Sequence, residues 1–270
     1  MLHSFASDCH CHSSCSPDGR HPAGAMLARA KELGLYAVTL TDHCECNEYE
    51  KKYRERALRA WQAMDAVQAP AGLRFYRGIE LGQPLQDLPG AQEAVGRFDY
   101  DFVIGSLHNL RGREDFYYLD ARALSAGELD AVLGEYWDQL LEMIDWGGFD
   151  ALGHLTYPLR YIQGEQGVAA DLAPHGEKID QTLGALIQKG IALEVNTSGL
   201  RQKLGETMPG LELLRRYRRL GGELVTLGSD AHCTEDLGAG IDQGMELLKA
   251  AGFNQFVVYE KRRPVWLPLE

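Results

Sequence analysis

Short apolar runs that close on polar, ligand-type residues recur along this chain. That recurrence constrains its fold more than any other feature of the sequence. The runs cover residues 36–41, 73–80, 100–106, 149–153, 191–196 and 224–228, and a further strand is expected at 4–11, where His10 must be presented. Amphipathic segments lie between them. Residues 22–33, stopped by Gly34, place Met26, Leu27, Ala30 and Leu33 on one side. Tyr49, Tyr53, Ala57, Trp61 and Met64 are spaced for a second helical stripe. Ser125 and Glu128 form a capping box that opens a helix with Leu129, Val132, Leu133, Tyr136, Leu140 and Ile144 inward, and Gly147-Gly148 stops it. Two more helices read at 177–189, before Gly190, and 211–220, before Gly221-Gly222. About seven such alternations predict parallel strands joined by crossover helices. No Pro- or Ser-rich linker and no repeat of about 20–50 residues divides the chain, so one domain over residues 1–270 is expected.

Of the nine histidines, six fall at the ends of expected strands. Asp8-Cys9-His10-Cys11-His12 comes first. In an extended chain alternate side chains share a face, so His10 and His12 project together while Cys9 and Cys11 point the other way. Asp230-Ala231-His232 repeats the device after the last run, with a carboxylate replacing one imidazole. His43, Glu80, His108 and His154 each follow or end a run, and Asp18 lies in the loop after the first pair. A single histidine after a strand is ordinarily a solvated loop residue. Here the donor types coincide at one end of the expected strands, which in a parallel barrel is the rim that carries active sites. Nine donors exceed the four or so that one zinc ion takes, so two or three ions sharing a carboxylate fit better. Nitrogen-plus-carboxylate ligation suits Zn, Mn or Fe without choosing among them.

Charge narrows the function classes. With 27 basic and 39 acidic residues the chain carries a formal charge of −12, which disfavours a broad grip on nucleic acid but not a small anionic substrate. No apolar run approaches the roughly 20 residues of a bilayer span, so no membrane association is expected. Residues 1–5 carry no basic segment followed by a long apolar one, so no signal peptide is read and cytoplasmic residence is the expectation. The six cysteines, Cys9, Cys11, Cys15, Cys44, Cys46 and Cys233, all lie near these motifs but form no C-x2-C pair. They are expected to be reduced, buried small residues rather than ligands.

The set D-x-H-x-H, T-D-H, G-x-E, S-x-H, G-H and S-D-x-H resembles the polymerase-and-histidinol-phosphatase (PHP) superfamily. Within it the chain resembles the stand-alone bacterial histidinol-phosphate phosphatases, over essentially its whole length and including residues 192–200 and 257–262. The resemblance implies a single distorted (β/α)7 barrel with three divalent ions at the C-terminal rim of the strands. His10, His12, Glu80 and Asp230 would hold the first ion. Glu80 would bridge to a second held by His108 and His154, and Asp18, His43 and His232 would hold the third. Relatives often carry histidine where this chain has Asp18. The implied reaction is hydrolysis of L-histidinol phosphate to L-histidinol and phosphate, a step of histidine biosynthesis. A hydroxide shared by two ions about 3.5–4 Å apart would attack phosphorus in line. Glu80, Asp230, His232 and Arg160 are the residues expected at the reacting atoms.

Arginine suits a phosphate because its fork makes paired hydrogen bonds. Arg160 and Arg201 follow strand ends, and arginines in these two loops contact phosphate in similar histidinol-phosphate phosphatases. Cys15 and Arg20 stand one residue too close for the C-x5-R arrangement of a cysteine phosphatase. Glu194 and Asn196 share a strand face and serve either as partners of the site or as satisfied core polar groups. His3, His21 and His175 read as surface residues, and 215–219 as a solvated basic helix face. Two rival functions remain from the sequence. One is a PHP-type phosphoesterase acting on nucleotides or oligonucleotide ends, for which Tyr117, Tyr118, Tyr157 and Tyr161 could stack a base. The other is an amidohydrolase-like metal hydrolase, which also opens with H-x-H.

Overall fold

The structure, a computed structural model, describes residues 3–270. Its strands are β1 (Ser7–Cys11), β2 (Ala37–Leu40), β3 (His43–Glu45), β4 (Arg74–Gly82), β5 (Phe102–Ser106), β6 (Ala151–Leu152), β7 (Ala192–Asn196) and β8 (Val225–Gly228), followed by β9 (Gln255–Glu260) and β10 (Arg263–Pro268). The helices are α1 (Ala23–Leu33), α2 (Arg54–Asp65), α3 (Leu88–Gly96), α4 (Ala126–Trp146), α5 (Tyr157–Leu159), α6 (Gly176–Lys189), α7 (Ser198–Arg201), α8 (Leu211–Arg219) and α9 (Ile241–Ala250). Seven strands pair in parallel in the order β1-β2-β4-β5-β6-β7-β8, with β3 added beside the end of β4. Helices cross over between them, and the sheet curls into a nearly closed barrel, in agreement with the expected architecture.

The helix boundaries follow the expected local chemistry. Ser125 and Glu128 make both halves of the capping box. Gly34 and Gly190 end α1 and α6 in the left-handed conformation, at φ 76° and 66°, which glycine adopts without strain. The stripe from Tyr49 to Met64 is helical throughout, but its first turn (Tyr49–Tyr53) is widened to a π turn before α2 begins. The run at 149–153 yields only the two-residue β6. Asp150 there bonds both neighbouring strands through its backbone, while its carboxylate accepts from the Val103 N–H (2.8 Å) and pairs with Arg262. The β9–β10 hairpin, unread as such in the sequence, docks on the amino-terminal ends of β5 and β6. Tyr259 stacks on Phe102, and the Lys261 and Arg262 N–H groups bond Asp101.

Closure of the barrel falls to the junction of β1 with the segment after β8. Among the described residues no regular ladder joins them, and the seam is held by a few specific bonds. The Asp230 N–H donates to the His10 carbonyl (2.7 Å) and the His12 N–H to the Ala231 carbonyl (2.8 Å). The buried Asp8 carboxylate accepts from the Ser229 N–H (2.9 Å), the Ser229 hydroxyl (2.5 Å) and the Gly238 N–H (2.9 Å). Burial raises the Asp8 pKa, and these donors offset part of that rise. Replacing Asp8 by Ala orphans two backbone donors and a hydroxyl at about 1–3 kcal/mol each. Urea unfolding of Asp8→Ala is therefore expected to show a loss of at least about 3 kcal/mol, and an unchanged midpoint would remove Asp8 from the seam.

Candidate metal centre

Every sequence-predicted donor converges at the carboxyl ends of the strands. His10 belongs to β1 and His12 follows it; His43 opens β3, and Glu80 lies in β4 directly beside it in register. His108 and His154 stand two residues beyond β5 and β6, and Asp230 and His232 follow β8. His154 and Asp230 take positive φ (22° and 54°), which is costly for residues with a Cβ and is held here by surrounding bonds. For Asp230 these are the seam bond to His10 and an Arg201 Nη2 donor on its carbonyl (2.9 Å).

The side chains form three adjoining groups. In the first, His10 Nε2 and His12 Nε2 lie 3.5 and 3.6 Å from Glu80 Oε2, and 3.8 and 3.4 Å from Asp230 Oδ1. In the second, His108 Nε2 and His154 Nε2 lie 3.1 and 3.0 Å from the other Glu80 oxygen, Oε1, and 3.3 Å from each other. In the third, His43 Nε2 and His232 Nε2 are 3.3 Å apart, with Asp18 oxygens 3.7 and 3.2 Å away respectively. Glu80 thus turns Oε1 to the second group and Oε2 to the first, and Oε2 also lies 2.7 Å from His43 Nδ1 of the third. Ser106 donates to Oε1 (2.6 Å) and fixes that orientation.

The donor set fits a cation. His10 Nε2, His12 Nε2 and Glu80 Oε2 are fully buried yet without a hydrogen-bond partner, an arrangement that costs free energy unless something bridges them. Burial alone would raise the pKa of Glu80 and Asp230. Neighbouring histidines outweigh it and hold both carboxyls well below the ordinary range, His43, His10 and His108 for Glu80, and His10, His12 and His232 for Asp230. Conversely, burial opposes protonation of His10, but Glu194, Glu80 and Asp230 prevail and its pKa lies well above the usual value. His12, buried beside His232 and His43, goes the other way. These directions show that the site calls for positive charge beside the carboxylates, which a divalent ion would supply with ligand geometry. Among the described residues four overlapping sets, His10/His12/Asp230, His10/Glu80/His154, His12/His43/His232 and His43/Glu45/His108, each bring three donor atoms within reach of one ion.

Ser16, Asp42, Glu45 and Asp115 escaped the sequence, whereas other partners were named there with their roles open. Glu194 settles on the site: its Oε1 lies 2.7 Å from His10 Nδ1, and its Oε2 accepts from the His154 N–H (2.6 Å). Ser16 lies 3.1 Å from His12 Nδ1 and donates to Asp42, which also holds Ser13. Glu45 sits between His43 and His108, and alternation from His43 along T-D-H-C-E was the signal that could have found it. Arg160 lies beside the first group, Nη1 3.7 Å from Asp230 Oδ2, with its guanidinium over the Tyr161 ring. Arg201 commits Nη1 and Nη2 to the Ser229 and Asp230 carbonyls and Nε to Asp236, so three of its five N–H groups brace the loop. Tyr157 packs on the His108 and His154 rings, and its hydroxyl donates to Asp115 (3.1 Å) and meets that of Tyr161. His175, expected at the surface, is instead buried against α4 with Nε2 3.1 Å from Asp130.

Residues 8–198 match the PHP domain family. A probable histidinol-phosphatase of Thermotoga maritima is 28% identical over 94% of this chain and 96% of its own length. The histidinol-phosphatase of Lactococcus lactis is 26% identical over 93% of both. The crystal structure of histidinol phosphate phosphatase from Lactococcus lactis, complexed with zinc, L-histidinol and phosphate, superposes with a TM-score of 0.73 at 23% identity. It covers 96% of this chain and 98% of that one, a likeness of fold.

Cys9 and Cys11 join the hydrophobic layer on the outer face of β1, and Cys11 Sγ donates to the Thr39 carbonyl (3.2 Å). Burial pushes both thiols up, and the nearby Asp8 carboxylate adds to it, so neither offers a thiolate. Cys9→Ala and Cys11→Ala are expected to keep the metal content of the parent protein while losing a few kcal/mol or less of stability. Elemental analysis beside thermal unfolding checks this; loss of a stoichiometric ion from a folded variant would contradict it.

Proposed function

The chain belongs to the PHP domain family, and on that premise we propose that it is a metal-dependent phosphomonoesterase that hydrolyses L-histidinol phosphate to L-histidinol and phosphate. The observation that carries this reading is Glu80, whose two oxygens face two different histidine groups deep in the rim. Three divalent ions are assigned, one to His10, His12, Glu80 and Asp230, one to Glu80, His108 and His154, and one to Asp18, His43 and His232. Such ions supply Lewis acidity toward a water and toward phosphoryl oxygens. Glu80 fixes the spacing of the first two groups, and Ser106 and Glu194 hold the orientation of Glu80 and His10.

Arg160 is assigned to the outer phosphate oxygens. Its head is a quarter exposed at the rim, with one Nη toward Asp230 and the rest of its fork free to bind. Arg201 is assigned to the phosphate through its two remaining N–H groups, while its other three hold Asp230 in place. The alcohol half meets Tyr157, Tyr161 and the exposed Tyr117 and Tyr118, with the Asp115 carboxylate at the tyrosine hydroxyls. An anion within an aromatic wall suits a cationic imidazole-bearing alcohol and repels a second phosphate, which favours this substrate over nucleotides.

Steady-state kinetics on a panel of phosphomonoesters, with Mn, Zn or Fe supplied, is expected to rank histidinol phosphate first. A nucleotide in first place would overturn the substrate assignment. Arg160→Ala is expected to lower kcat/KM on histidinol phosphate by about 1.5–3 kcal/mol, about 10- to 150-fold, at full metal content. The loss on bis-nitrophenyl phosphate should be much smaller, because a diester carries one charge fewer. Arg201→Ala is expected to fall on both substrates, since it also releases the Asp230 carbonyl. Glu80→Gln should cut kcat severely in a folded protein; near-parental turnover at full metal loading would remove Glu80 from the bridge.

A further inference from the structure

We propose that Glu45 is a positioning residue that couples the second and third metal positions through the Nδ1 sides of two histidines. This rests on the reading that those groups hold divalent ions. Glu45 ends the three-residue strand β3, and its carboxylate is largely buried. Its two oxygens lie 3.1 and 3.2 Å from His108 Nδ1, and Oε1 lies 3.3 Å from His43 Nδ1, which also faces Glu80 Oε2 at 2.7 Å. The opposite nitrogens of the same rings face the centre. His108 Nε2 meets Glu80 and His154, and His43 Nε2 meets His232 and Asp18. An imidazole that gives its Nδ1–H to a carboxylate presents an Nε2 lone pair in fixed orientation. Glu45 therefore holds His108 at its Nδ1 and shares the Nδ1 of His43 with Glu80, so one carboxylate touches rings that belong to different groups.

The seat of that carboxylate is built by its neighbours. Gln83 Nε2 donates to Glu45 Oε2 (2.5 Å) while Gln83 Oε1 accepts from the His108 N–H (2.8 Å), which ties Glu45 and His108 to one side chain. Gln83 takes a left-handed φ of 47° to do so. At Gly82 a Cβ would fall 2.1 Å from Glu45 Oε2, so only glycine leaves the carboxylate room. The first position is served differently, by Glu194 behind His10 and Ser16 beside His12.

The test is metal binding, independent of turnover. Stripped parent protein, Glu45→Gln and Glu194→Gln are titrated with Zn by equilibrium dialysis and elemental analysis. Circular dichroism reports folding, and anomalous scattering locates the ions. In Glu45→Gln the His108 position is expected to weaken about 10- to 100-fold and the His43 position by less, because His43 Nδ1 keeps Glu80 Oε2, with the His10/His12 position unchanged. Glu194→Gln should weaken the first and second positions instead. If Glu45→Gln fails to fold, Glu45→Asp, which keeps the charge but withdraws the oxygens, should show the same pattern in milder form. Parental affinity at all positions, equal weakening at all three, or an ion lodged between Glu45, His43 and His108 would each overturn the proposal. A parent protein that binds no divalent ion would instead bring down the functional reading itself.

Discussion

The seam between the first strand and the segment after the last barrel strand is the constraint on which the rest depends. His10 and His12 are separated in sequence from Asp230 and His232 by nearly the whole chain, yet the first donor group exists only where these segments touch. The touching is done by a buried carboxylate and two backbone bonds rather than by a regular ladder. A carboxylate can do this because it accepts several donors at once and so satisfies the turn that carries Ser229 while drawing it against β1. Most of the stabilising burial lies elsewhere, between sheet and helices. The seam contributes position, setting where the strand ends meet.

Beyond the seam the governing problem is buried charge. Glu80 and Asp230 are excluded from water among imidazoles, where each ionised carboxylate is costly without a cation or a proton nearby. Histidine suits this environment because it can stand neutral as a ligand or charged as a counter-ion. Strand alternation keeps the thiols apart from it: the face of β1 that carries His10 and His12 looks into the rim, and the face that carries Cys9 and Cys11 looks into the apolar layer. One strand thereby serves two chemically incompatible environments.

Six of the nine expected donors, His43, Glu80, His108, His154, Asp230 and His232, stand at or just beyond the carboxyl end of a strand with a recognisable apolar run, which made them legible in the sequence; His10, His12 and Asp18 were added by motif. Glu45 was not legible, because β3 is three residues long with no apolar run to announce it; it exists by pairing onto the end of β4. Glu194 was visible, but its role was not, since a strand face fixes direction without naming the partner across the barrel. His175 was misread because a histidine after Pro174 in a polar loop carries no local sign that α4 will cover it. Arg201 is the subtler case. Its position after β7 pointed to the rim, but only the structure reveals that most of its hydrogen-bonding capacity goes into the backbone of the 229–236 loop.

The tyrosine-bearing segment between β5 and α4 supplies Asp115, Tyr117 and Tyr118 to the rim, yet its only donor to the three groups is His108, at its very start. On the proposed function, the segment past that residue would face the alcohol rather than the ions. Its tie to the donors runs through Asp115, which holds the hydroxyl of the Tyr157 ring packed on His108 and His154, so a change beyond Asp115, at Tyr117 or Tyr118, would alter the wall with least disturbance to the donors beneath. A barrel arranged in this way is free to change clientele without reinventing its chemistry, because selection on what it accepts and selection on how it cleaves act on different stretches of chain.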